Sequence, residues 1–82
     1  MIIVWDEPKR LANIEKHGLD FAELDESFFV GASIRAAKSG RTIAIGELNG
    51  RIVVAVVYTP LGREALSIIS MRPASRRERS LI

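Results

Sequence analysis

The chain contains no cysteine, so neither a disulfide nor a thiolate metal site can hold it together, and this fits a reducing compartment. It has a single histidine, and its acids are scattered. No His/Cys/Asp/Glu set therefore falls at a metal-ligand spacing, and neither a metal centre nor any cofactor is expected. No apolar run approaches the roughly 18 residues that span a bilayer, and the start lacks a basic segment leading into an apolar one. A soluble, cytoplasmic protein is the expectation. There is no glycine-rich phosphate loop: Gly40, Gly46 and Gly50 read as turn or strand glycines. No serine stands in a nucleophile-elbow setting, which disfavours a Ser-His-Asp triad. Repeats, linkers and low-complexity segments are also missing, and 82 residues suffice for one small core. A single domain over 1–82 follows.

What is present is strongly patterned. Met1 to Trp5 is an uninterrupted apolar run that reads as a buried strand. Asp6, Glu7 and Pro8 then form a helix start, and Gly18 a helix stop, with Leu11 and Ile14 assigned to the inner face. Asp20 opens a second helix that should run to Gly31. Asp20 and Glu23 stand at capping-box spacing, Leu19 and Leu24 form a hydrophobic staple, and Phe21, Leu24 and Phe28 line one face. Beyond Ser33 the pattern becomes strands at about 33–38, 41–48, 51–59 and 64–71, broken at Ser39-Gly40, Asn49-Gly50 and Pro60-Leu61-Gly62. The expected fold is α+β: β-α-α-β-β-β-β plus a short C-terminal helix, with two N-terminal helices on one face of a mostly antiparallel sheet.

Charge is unevenly distributed. Residues 1–30 carry three basic and seven acidic side chains, whereas 31–82 carry nine basic and three acidic ones. The basic excess culminates in Arg72, Arg76, Arg77 and Arg79, directly after the apolar strand 64–71. Arginine outnumbers lysine nine to three, which favours geometric recognition of phosphate, because the guanidinium offers paired, permanently charged donors.

These residues suffice for one metal-free reaction. RNA carries its own nucleophile, the 2′-hydroxyl, so a protein that cuts it must move two protons and stabilise charge on phosphorus. Lys9, Asn13, Lys16 and His17 fall on one helical face, and His17 is the residue type best suited to proton transfer near neutral pH. From spacing alone the same histidine, just before Gly18, reads first as a plain helix-end cap. Strand alternation would put Ser70 and Arg72 on the face of Leu66 and Ile68, with Arg51 placed to converge from the neighbouring strand. Three readings remain at this level: a ribonuclease, an RNA-binding module that does not cut, and a basic face that serves a partner protein.

A resemblance favours the first. Trp5-Asp6 with Lys9, Asn13, Lys16-His17-Gly18 and Phe21 is similar to the N-terminal signature of the BrnT family, ribonuclease toxins of bacterial type II toxin–antitoxin pairs. Arg41 with Ile45-Gly46, Val57-Tyr58-Thr59, and Ile68 through Ser75 with Glu78-Arg79 resemble the family's later blocks. The resemblance implies a RelE-like fold, metal-independent endoribonuclease activity that halts translation, and a cognate BrnA-type antitoxin through which the complex binds promoter DNA. It also implies functional roles at Lys9, Lys16, His17, Ser70, Arg72 and Arg79. On this reading His17, Lys16, Arg72 and Ser70 are catalytic, and Lys9, Arg51, Arg76, Arg77 and Arg79 bind RNA. Ser67 and Ile82 depart from the family pattern, which has an arginine and an aromatic there.

Overall fold

The computed structural model describes residues 1–82. Strand β1 (Ile2–Trp5) leads into α1 (Glu7–His17), followed by a 3-10 turn (Phe21–Glu23) and α2 (Glu26–Gly31). Then come β2 (Ser33–Ala36), a 3-10 turn (Lys38–Gly40), β3 (Thr42–Leu48), β4 (Ile52–Leu61), β5 (Ala65–Pro73) and α3 (Arg76–Arg79). The class is α+β, with one five-stranded sheet and three helices.

The strand order is β1-β5-β4-β3-β2. Residues 33–73 form antiparallel neighbours, and the Asn49-Gly50 turn takes the double positive φ (53° and 67°) that matches strand twist in a two-residue hairpin. β1, however, pairs parallel to β5. The sheet is therefore mixed, which corrects the expectation of a mostly antiparallel one: the first strand returns to the edge of the last, beyond reach of local turn signals.

The core lies on one face of the sheet, where Phe21, Leu24, Phe28 and Phe29 meet Val54, Val56, Ile68 and Met71. Gly46 lets α2 approach β3: a Cβ there would stand 3.3 Å from the Phe28 ring and from Ala32 Cβ.

Three local expectations are corrected. The segment from Asp20 is not one helix. Asp20 accepts from the Ala22 N–H and caps a single 3-10 turn, Leu24 is extended, and Asp25 then caps α2 by accepting from the Phe28 N–H. Two competing aspartate caps five residues apart divide the helix. Glu23 closes no capping box, because its carboxylate accepts from Asn49 and Arg51 instead. Nor is Leu11 on the inner face of α1; it is 54% exposed, and the buried residue of the helix is Asn13. The helix docks through a polar stripe of Arg10 and Asn13, which hydrophobic periodicity cannot reveal.

The third correction concerns β5. A bulge between Ile68 and Ser70 breaks its alternation against β4. Met71 thereby joins Leu66 and Ile68 in the core, and Ser70 and Arg72 are turned to the opposite face.

Candidate active site

Pairing of β1 with β5 stops at Trp5 and Ile68, whereas β5 continues to Pro73. Past Ile68 the outer edge of β5 would present bare backbone groups, and α1 takes the place of the missing strand. Asn13 Oδ1 accepts from the Met71 N–H (3.0 Å), and Asn13 Nδ2 donates to the Leu19 carbonyl (2.9 Å). One buried amide thus satisfies two backbone groups and fixes the helix beside the strand.

The gap between them is a cleft of about 350 Å³ lined by Lys9, Ala12, Asn13, Lys16, His17, Ile69, Ser70 and Arg72. The bulge at Ile69 is what presents Ser70 and Arg72 to it, and helical spacing presents Lys9, Asn13, Lys16 and His17. A larger hollow of about 430 Å³ lies at Met1, Ile2, Glu26 and Arg63 to Leu66, away from these residues. It gathers mostly apolar groups and acids, so the smaller cleft is the chemically equipped one.

Arg72 is the best-held group. Its guanidinium donates to both carboxylate oxygens of Glu78 (2.6 and 2.9 Å). Glu78 also accepts from the Ser75 N–H while Ser75 Oγ accepts from the Glu78 N–H, a complete capping box on α3. The Arg72 hydrogen bonds, helped by those from Ser75, hold the Glu78 carboxyl down at about 2 against the opposing effect of desolvation. Because the fork has five N–H donors, donors remain free for a ligand. Lys9 and Lys16 form no ion pair, so the α1 wall carries uncompensated positive charge.

Other expected residues lie elsewhere. Arg51 does not converge on Ser70; it pairs with Glu23 at 2.9 Å near the β3–β4 turn. Arg76, Arg77 and Arg79 are exposed on α3, outside the cleft lining. Two contributors were missed. Glu78 as the holder of Arg72 was signalled by the Ser-x-x-Glu spacing of 75–78, and Asn13 as a buried strut had no local signal at all.

The arrangement offers a helix wall with two unpaired ammonium groups and an imidazole, facing a hydroxyl and a clamped guanidinium. That set can hold a phosphodiester and move protons on either side of it.

Comparisons with known proteins identify a family and a similar solved structure. The family described as "Ribonuclease toxin, BrnT, of type II toxin-antitoxin system" matches residues 5–78. Among solved structures, the chain is similar to the ribonuclease toxin BrnT of Brucella abortus, a crystal structure at 1.1 Å resolution. The two are 58% identical with a TM-score of 0.87, and the match covers 93% of this chain and 99% of that one. A comparison with curated proteins gives no match.

Proposed function

Because the chain belongs to the BrnT family of type II ribonuclease toxins, we propose that the α1–β5 cleft is where RNA is bound and cut, without a metal ion. The observation that carries this reading is the lining itself, which brings Lys9, Lys16 and His17 of α1 against Ser70 and Arg72 of β5. A RelE-like arrangement of sheet and helices belongs to the same reading.

In the proposed reaction the 2′-oxygen attacks phosphorus and the bond to the 5′-oxygen breaks, leaving a 2′,3′-cyclic phosphate and a 5′-hydroxyl. One proton leaves the 2′-hydroxyl and one is delivered to the departing 5′-oxygen. His17 serves proton transfer, with Lys16 beside it. Arg72, oriented by Glu78, and Ser70 donate to the non-bridging oxygens as negative charge develops there. Lys9 holds an adjoining phosphate, and Arg76, Arg77 and Arg79 attract the strand from α3. Arg51, engaged by Glu23, has no part in the cleavage step.

The protein acts in the cytoplasm; no helix is long and apolar enough to cross a membrane. Its inhibitor is a BrnA-type antitoxin that covers the basic surface and supplies the contacts to promoter DNA.

The test is cleavage of RNA in EDTA by the purified chain. Activity should persist, and Arg72→Ala and His17→Ala should each lower its rate steeply, to a measurable residue, while circular dichroism stays unchanged. Salt-dependent RNA retention with no cleavage would favour a binding module instead, and complete indifference to RNA beside tight antitoxin binding would favour a purely protein-directed face.

A further inference from the structure

Ser70, at the cleft, stands in a transverse row of the sheet. Its registered neighbour on β4 is Val57, Val57 faces Ile43 on β3, and Ile43 faces Arg35 on the edge strand β2. Registered partners project from the same face, so Ser70 and Arg35 close the two ends of one row on the face away from the core. The next row on that face is Arg72, Ala55, Ile45 and Ser33.

The two rows differ in burial. Ala55 and Ile45 are closed to solvent, whereas Val57 and Ile43 are only half-buried. The short helix α3 accounts for the difference: it touches β3 and is tied to Arg72 through Glu78. It therefore roofs the second row and leaves the first open beside it. The open row is a shallow trough with an aliphatic floor, the cleft at one end, Arg35 at the other, and the arginine-bearing α3 alongside. Arg35 is exposed and forms no ion pair. Neither row contains a carboxylate.

We propose that Arg35 is a second phosphate-binding residue, which takes a phosphate of the RNA strand distant from the scissile one while the intervening bases lie across Val57 and Ile43. This rests on the ribonuclease reading of the cleft. Three strand spacings separate the ends of the row, about 14 Å. At a stacked rise of 3.4 Å this is about four nucleotides, fewer for an extended strand. A fork at the far end of an apolar floor suits a phosphate that follows unstacked bases.

The test uses 2′-O-methyl oligouridylates, which lack the attacking hydroxyl: a dodecamer that spans the row and a dinucleotide that fills the cleft alone. Arg35→Gln should weaken dodecamer binding about threefold to fivefold at low salt, the scale of one exposed ion pair, and Arg35→Glu more. The salt slope should fall by about 0.7, one phosphate contact. Dinucleotide binding should be unchanged, and Arg35→Lys should restore much of the dodecamer affinity. Wild-type affinity for the dodecamer in Arg35→Glu would overturn the proposal, as would an equal loss for both lengths. Loss of antitoxin binding with RNA binding intact would assign the trough to the protein partner instead. Arg72→Ala is the control: if it changes neither binding nor cleavage, the cleft reading itself falls, and Arg35 with it.

Discussion

Replacing Glu78 with glutamine tests how Arg72 is held. Glutamine keeps the size of the side chain and one acceptor oxygen, but removes the charge that the fork grips at 2.6 and 2.9 Å. The depression of the Glu78 carboxyl from 4.5 to about 2 would correspond to about 3 kcal/mol if taken whole. Arg72 is 39% exposed, although Glu78 is only 18% exposed, so water screens the pair and about 1–2 kcal/mol is the expected loss at pH 7. In a domain of this size that is a fall in Tm of roughly 5–15 °C. The carboxyl is depressed in the folded state, so its contribution is complete above its unfolded value near 4.5 and disappears as pH falls through about 2. Urea denaturation of wild type and Glu78→Gln at about pH 7, 6 and 2 should therefore show a gap that is constant between the first two and nearly closed at the third. A gap of the same size at all three pH values would refute the ion pair as the source of stability. RNA cleavage by Glu78→Gln at pH 7 should fall mainly in kcat, because the guanidinium is still present but no longer oriented.

Three further outcomes are expected. Asn13→Ala strips partners from the Met71 N–H and the Leu19 carbonyl and should cost about 2–4 kcal/mol in urea denaturation, the scale of two buried unpaired backbone groups. Asn13→Asp should not rescue it, since a carboxylate has no proton for Leu19. Gly46→Ala places a methyl 3.3 Å from Phe28 and Ala32, and should lower stability by about 1–3 kcal/mol through overpacking. Its cleavage rate at low temperature should be nearly normal. Charge reversal at Arg76 and Arg77 should weaken both RNA and antitoxin binding, measured by calorimetry; unchanged affinity for both would argue against a shared basic face.

Much of the architecture was legible because it is written in local chemistry. Asn49-Gly50 and Ser39-Gly40 place their turns, Gly18 ends α1 at φ 69°, and Ser75 and Glu78 cap α3. What was not legible depends on partners distant in sequence. β1 finds β5 across more than sixty residues, and Asn13 reaches Met71 at a separation of 58. The bulge at Ile69 leaves no mark in the residue pattern, yet it decides which face Ser70 and Arg72 occupy. Alternation alone therefore put both residues on the wrong side of the strand. The meeting of the cationic face of α1 with Arg72 was nonetheless anticipated, and the cleft between them matches that expectation. The expected convergence of Arg51 does not occur, because Glu23 abandons its local cap to hold it.

The central claim is that α1 and the bulged end of β5 form one site that acts on one phosphate. A double-mutant cycle on RNA cleavage with Lys16→Ala and Arg72→Ala measures this directly. A single site predicts strong non-additivity, the double variant being scarcely slower than Arg72→Ala alone. Losses that multiply as if independent, with the folded structure intact, would contradict it.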